Sequence, residues 1–264
     1  MNKIGVIAVE EERVCPLKWH NFAKYKFVER LYMEKYNAEA VVFYVGRDPG
    51  KIAPLIPQCG VGAVMLTERF RQRFGDVLFE DVKNADGKSV YQRLVPRIIK
   101  KAIKIAGIDV GKGRVAITGE NTRTALALAE ALCRDFRYMT IIASNGNRAD
   151  EISERILDDY GLPIIIAGKN SRVKCDVAVK TGGEMPNLPK NTILIDASGE
   201  HNISRKNSID WVEAAVFHKL PHKIDSLSFI EAVELATGKS IACKISAFMC
   251  SGAVVPPSKL KLGG

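Results

Sequence analysis

Three short segments carry side chains able to do chemistry. The first is Thr118-Gly119-Glu120-Asn121-Thr122-Arg123-Thr124, which joins an apolar run of strand length to an Ala/Leu-rich helical pattern. A helix start offers N–H groups without intrahelical partners and the positive end of the helix dipole, which together can hold a pyrophosphate. Gly119 permits close backbone approach, Asn121 tolerates a left-handed conformation, Thr122 can cap the helix and Arg123 can pair a phosphate. Glu120 would repel one, and the same residues also make an ordinary strand–helix turn. The second segment is Ala143-Ser144-Asn145-Gly146-Asn147-Arg148. An acidic residue at such a strand end would hold the ribose 2′-hydroxyl of NAD, and none is present. Ser144, Asn145 and Arg148 suit a 2′-phosphate instead, which favours NADP; a polar helix cap accounts for them equally. The third is Lys83-Asn84-Ala85-Asp86-Gly87-Lys88-Ser89, just before a long helical pattern. Asp86 sits where the two α/β units are expected to meet, the usual place for a cleft, and the plain alternative is a turn with Ser89 as helix cap.

These segments need elements to position them. Ile4–Val9, Ala40–Val45 and Gly62–Leu66 read as strands, and Asn21–Tyr36 reads as a helix from apolar residues at helical spacing. Tyr91, Leu94, Val95, Ile98, Ile99, Ala102 and Ile103 recur at helical spacing, with Arg93, Arg97, Lys100, Lys101 and Lys104 opposite. This predicts a long amphipathic helix that Pro96 kinks or restarts. Asp109–Gly113 reads as a domain junction. Beyond it, strands are expected at Arg114–Thr118, Tyr138–Ala143, Pro163–Ala167, Asp176–Val179 and Thr192–Ile195. Helices are expected at Thr122–Phe136 and Arg148–Tyr160, with closing helices at Phe229–Thr237 and Ile241–Ser251 and a frayed tail from Pro256. Alternating strands and helices imply mostly parallel sheets covered by helices. The fold class is therefore α/β: an N-terminal substrate-type domain over residues 1–108, then a Rossmann-like domain over 109–264. The closing helices are expected to pack back across a cleft.

Composition narrows the class further. The chain has 264 residues, of which 47% are hydrophobic and 26% charged, as in an ordered globular protein. No window approaches a membrane span, and the apolar run at the N-terminus is too short for a secretory signal. Six cysteines without a C-x-x-C pair argue against a zinc ribbon or a disulfide framework and for a reduced, cytoplasmic setting. Four scattered histidines suggest no metal site. The net charge of +9 suits phosphorylated cofactors, acidic metabolites, nucleic acid through the basic helix, or simply a solvated surface. No DNA- or RNA-binding motif accompanies it, so nucleic acid is not the expected partner.

Four segments resemble the shikimate dehydrogenase family along nearly the whole chain. Cys15-Pro16-Leu17-Lys18-Trp19-His20-Asn21 is similar to its Ser-x-Ser-Pro-x-x-His-Asn, with one extra residue. Asn84-Ala85-Asp86-Gly87 is similar to Asn-Thr-Asp-Gly. Asp176 to Thr181, continuing to Met185-Pro186, resembles a strand ending in Asn-Ala-Thr followed by Gly-Met-x-Pro. Glu234-Leu235-Ala236-Thr237-Gly238 resembles Glu-Leu-Trp-Thr-Gly. The resemblance implies two α/β lobes with a cleft that Asp86, Arg13 and His20 approach, and Asp86 as the catalytic carboxylate in proton transfer at the substrate hydroxyl. It also implies substrate contacts from Arg13, Cys15, Asn84 and Arg69, and cofactor contacts that include Thr181 and Met185. The pattern departs where it matters most. Phe70 stands at the position of the family's catalytic lysine, Arg13 and Cys15 at the serines that hold the substrate carboxylate, and Ser228 near the family glutamine. The glycine-rich turn is reduced to Gly119.

Together these readings give an NAD(P)-dependent oxidoreductase acting on a small acid other than shikimate. The rival reading is a dehydrogenase fold that has lost catalysis and binds a small ligand or nucleotide. No oligomeric state is assigned.

Overall fold

The computed structural model describes residues 2–12, 28–118, 122–143, 146–183, 187–198, 207–216, 223–260 and 262. Two compact units divide the chain: residues 1–90 with 213–245, and residues 91–212 with 246–264.

The first unit holds strands β1 (Asn2–Val9), β2 (Val28–Met33) and β3 (Ala38–Val45), then helix α1 (Leu55–Gln58), β4 (Ala63–Leu66), α2 (Glu68–Phe74) and β5 (Lys83–Asn84). The strands form one sheet in the order β2-β3-β1-β4-β5, parallel except for β2. The Ile4–Val9 run and all of β3 are buried, as expected of strands covered on both faces. Ile7, Val9, Val41, Phe43, Ile56, Leu66 and Phe70 belong to one apolar cluster.

The helix expected over Asn21–Tyr36 is corrected from Val28 onward, where the chain forms β2 and a short 3-10 turn over Glu34–Tyr36. Arg30 and Tyr32 are exposed while Met33 is buried, so the period is two. Asn37, at φ 46°, turns the chain into antiparallel register with β3.

Helix α3 (Lys88–Ile105) runs unbroken through Pro96 and is the long amphipathic helix. Its side chains from Tyr91 onward serve the second unit. Tyr91 stacks on Trp211 at 4.5 Å, and Lys101 lies 5.5 Å above the Phe248 ring. Lys100 pairs with Asp135 at 2.5 Å. The division expected at 108/109 therefore falls at 90/91, because α3 beyond Val90 buries its apolar face with that unit.

The second unit continues with β6 (Arg114–Thr118), α4 (Thr122–Leu132), β7 (Tyr138–Ala143), α5 (Gly146–Tyr160), β8 (Ile165–Gly168), β9 (Val177–Lys180), β10 (Ile193–Asp196) and β11 (Ser208–Ile209). These six strands are all parallel, in the order β8-β7-β6-β9-β10-β11. That is the doubly wound order 3-2-1-4-5-6, with its reversal point between β6 and β9.

The chain closes with β12 (Trp211–Ala214), α6 (Ser226–Thr237), β13 (Ile245–Cys250) and β14 (Ala253–Val255). Of the two expected closing helices, one is present. Helix α6 belongs to the first unit, where it packs on β1 and β4. The expected helix Ile241–Ser251 is instead β13 and the start of its turn. Ser251 and Gly252, both at positive φ, form a two-residue hairpin to β14. The fraying expected from Pro256 is not seen over Pro256–Leu260, where Leu260 is buried. No described helix is long and apolar enough to cross a membrane. The described cysteines form no disulfide.

The start of β6 is tied to the start of β9. Asp176 accepts from the Arg114 backbone N–H at 2.9 Å and from its guanidinium at 2.8 and 3.2 Å. These bonds hold the Asp176 carboxyl below the usual carboxylate range. A lowered folded pKa stabilises the protein above the unfolded value and ceases to do so as pH falls through the folded one. Asp176→Asn is expected to cost about 1 kcal/mol or less at pH 7, because the guanidinium is half exposed. Urea unfolding should show this difference fading as pH drops below about 4.

Candidate functional site

In open α/β sheets, ligands gather at the carboxyl ends of the strands. Each unit has such an edge.

In the first unit this edge is a network of hydrogen bonds. Glu12, after β1, accepts from the Val9 N–H at 3.0 Å and from the Thr67 hydroxyl at 2.6 Å. Thr67, after β4, caps α2 by accepting from the Phe70 N–H at 3.2 Å. That cap sets the helix so that Phe70 faces inward, fully buried, its ring 5.0 Å from that of Phe74. Arg69, the neighbouring candidate, is exposed. Arg71 instead reaches α6: its guanidinium donates to the Ser228 hydroxyl at 3.3 Å and lies 3.5 Å from Asp76. Asp225 caps α6, accepting from the Ser228 N–H at 2.7 Å and its hydroxyl at 2.8 Å.

Asp86 follows β5. One carboxylate oxygen accepts from the Lys88 N–H at 2.9 Å, and the other lies 3.5 Å from the Lys88 ammonium. Asp86 thus starts α3, and its side chain, 52% exposed, remains open to a ligand. Ser89, the expected cap, donates instead to Glu231. Glu231 is buried and also accepts from the Gly87 N–H at 2.6 Å. Asn84 is committed to its own loop: its amide donates to the Phe79 and Val82 carbonyls and accepts from the Phe79 N–H.

In the second unit the edge is a row. Thr118, Lys180 and Asp196 end β6, β9 and β10 and are register partners, so their side chains share one face of the sheet. All three are buried. Thr181, expected to touch a cofactor, extends the β6–β9 pairing: its N–H donates to the Thr118 carbonyl at 2.7 Å and its hydroxyl at 3.2 Å. Asp196 accepts from the Ser198 N–H at 2.9 Å and hydroxyl at 2.5 Å, while its second oxygen is buried without a hydrogen-bond partner among the described residues. The Tyr91 hydroxyl is likewise buried without one. Burial pushes the Tyr91 phenol well up, and the Asp196, Asp210 and Cys250 charges add to the shift. Arg123 and Arg148 lie exposed in the first turns of α4 and α5. Arg123 and Thr124 also line a groove of about 540 Å³ with Gln92, Arg93, Pro96 and Leu128.

Arg13, Cys15, His20, Gly119, Asn121, Ser144, Asn145 and Met185 lie outside the described residues, as does the side chain of Thr122. No sequence motif singles out Glu12, Arg71, Glu231 or Asp196, and Lys180 lies in a resembling segment that points to Thr181 instead. Lys180 and Asp196 carry one usable signal: each is a charged residue closing an apolar strand.

No protein-family model and no curated protein matches the chain. Solved structures similar to it include shikimate 5-dehydrogenase from Listeria monocytogenes in complex with shikimate and NAD, at 13% identity and a TM-score of 0.39, covering 91% of this chain and 93% of that one. The 5-ketofructose reductase of Gluconobacter is similar at 12% identity and a TM-score of 0.36, covering 91% and 94%. Quinate dehydrogenase from Corynebacterium glutamicum, in complex with NAD, is similar at 10% identity and a TM-score of 0.36, covering 90% and 94%.

Proposed function

We propose that the chain is an NAD(P)-dependent oxidoreductase acting on a small acid other than shikimate. The observation that carries this reading is the strand order of the second unit, whose reversal point between β6 and β9 is where doubly wound sheets take dinucleotides. The residues present suit such a cofactor. The exposed Arg123 and Arg148, in the first turns of the two helices that follow β6 and β7, are cations for phosphate oxygens. Gly119, Asn121 and Thr122 would supply the turn, Ser144 and Asn145 the ribose side, and Thr181 and Met185 the facing strand end. The nicotinamide, when bound, supplies the hydride chemistry. The chain's own part is to bind and orient: Arg13 would anchor the substrate carboxylate, Cys15 and Arg69 would add substrate contacts, and Asp86 would hold the proton exchanged at the substrate oxygen. Asn84 acts indirectly, by fixing the loop ahead of Asp86.

Calorimetric titration with NADP and NAD tests this. Weak binding of NADP, somewhat tighter than NAD, is expected because no acid follows β7. Arg123→Ala should weaken NADP by about 3- to 10-fold, as for an exposed charged contact. Glu120→Gly should tighten it by a similar factor, removing a like charge. If neither cofactor binds wild type or Glu120→Gly at millimolar concentration, the oxidoreductase reading falls.

One observation favours a second reading, a binding module without turnover. Phe70, at the position of the family's lysine, is a fully buried core residue and supplies no acid or base. Cofactor binding without reduction of any small keto acid would select it.

A further inference from the structure

In the second unit, α3 beyond Val90 and α4 flank a groove of about 540 Å³. The two helices point the same way. Arg93 and Pro96 line the groove together with Arg123, Ala127 and Ala131, and farther along both segments Lys100 pairs with Asp135, three residues after α4. The groove owes its volume to side-chain size. Arg123, Ala127 and Ala131 follow at intervals of four, so they form one row on α4. Two methyl groups stand there where longer side chains would reach α3, and Pro96 presents only its ring from across the gap. Leu128 lines the groove and is buried, whereas Ala127 and Ala131 are exposed, so an apolar row faces water.

The two ends of the groove differ in charge. Arg93 and Arg123 stand nearer the start of both helices, and Arg123 lies in the first turn of α4, where the helix dipole is positive. Helix α3 carries six Lys or Arg residues and no Asp or Glu. The single acid of α4, Glu130, pairs with Arg155 of α5 at 3.1 Å. At the other end Ala131 is uncharged, and the Lys100–Asp135 pair beyond it is neutral as a whole. From Arg123 to Ala131 the helix rises about 12 Å. The volume lies within the range of small-molecule sites, about 300–1,000 Å³. We infer that the α3–α4 groove is a binding site for a medium-chain aliphatic carboxylate, its head on Arg93 and Arg123 and its chain along Pro96, Ala127, Leu128 and Ala131. A carboxylate complements a guanidinium in charge and in geometry. A straight chain rather than a ring suits a trough about 12 Å long between small aliphatic side chains. An inorganic anion would leave the apolar row in water. Only Arg123 is common to this site and the proposed cofactor site, so Arg93, Ala127 and Ala131 carry the test.

Decanoate is the probe, titrated by calorimetry below its micellar concentration against the full chain. It should bind about 10-fold tighter than hexanoate, as expected for four further methylenes half buried. It should bind about 2- to 5-fold tighter than decanol, the worth of an exposed ion pair, and Arg93→Ala should lose a similar factor. Ala131→Trp fills the far end of the trough. It should weaken decanoate by about 10-fold and hexanoate, whose chain stops short of it, much less. Ala127→Glu puts a like charge in the row and should also weaken decanoate. Both alanines are exposed, so both variants should keep the wild-type melting point.

Binding of decanoate by wild type, weakened in Ala131→Trp with its melting point kept, supports the site. No binding by wild type overturns it, and so does unchanged affinity in Ala131→Trp. Decanol bound as tightly as decanoate overturns it also, since the two guanidiniums then recognise nothing. If Ala131→Trp does not fold, Ala127→Glu decides by the same criterion. NADP titrated on the same samples judges the oxidoreductase reading separately, because the groove does not depend on it.

Discussion

Phe70→Lys is expected to destabilise the first unit by about 4 kcal/mol or more, not to restore a proton donor. The change removes a fully buried ring from a packed cluster and puts an ammonium in its place. Truncating a buried Phe costs about 3–5 kcal/mol, and an unpaired buried charge adds to that. The described side chains of the cluster are apolar and cannot meet the new charge. With roughly 2–4 °C lost per kcal/mol in a chain of about this size, the melting point should fall by about 10 °C. Phe70→Leu, which keeps the site apolar, should lose about 1–2 kcal/mol. Circular dichroism melts of both variants check the contrast. A Phe70→Lys protein that melts like wild type and reduces a keto acid would show that position 70 faces the substrate rather than the core.

Gly87→Ala is expected to lose about 3 kcal/mol through two separable causes. Gly87 has φ +84°, where a side chain costs about 1–2 kcal/mol. A Cβ there would also meet the Ser228 backbone nitrogen and an Asp225 oxygen at 2.9 Å and the Leu227 Cβ at 3.0 Å. Backbone cannot give way as a flexible side chain does, so the crowding adds a comparable amount. Gly238 supplies the control: it has φ +68°, and a Cβ added there would meet no described atom within 4 Å. Gly238→Ala should therefore show the backbone cost alone, about 1 kcal/mol. Urea unfolding of the two variants should differ by about 2 kcal/mol, the share assigned to crowding. Equal losses would mean that α6 stands farther from the β5–α3 turn.

The sequence was most legible where one pattern excludes the others. Ile4–Val9 and Ala40–Val45 are apolar without alternation, which only strands covered on both faces tolerate, and both are strands. The seven apolar positions from Tyr91 to Ile103 fit only a helix, and all are buried. Misreading came where two periods fit. Val28, Tyr32 and Met33 sit at helical spacing, but Met33 is buried and Tyr32 exposed, and pairing with β3 decided the matter. Ile245, Ala247 and Phe248 likewise read as helix until the Ser251-Gly252 turn made a hairpin. For the site, the segment Asn84–Gly87 stood out, yet its partners did not. Glu231 meets the Gly87 N–H across 144 residues, and no local pattern reports such a bond. The edge row Thr118–Lys180–Asp196 depends on strand register, which emerges only once the sheet is assembled.

The chain crosses from one unit to the other three times, after Val90, Val212 and Ile245. During synthesis, the first ninety residues therefore emerge without the helix that covers β1 and β4 and supplies Glu231 to the Gly87 N–H. The second unit's six-stranded sheet is complete in the nascent chain by Ile209, before α6 has been made. Each unit therefore waits for a segment distant in sequence: the first for residues 213–245, the second for residues 246–264. A fragment ending at residue 108 is consequently not a domain, since it lacks the segment that closes its own core.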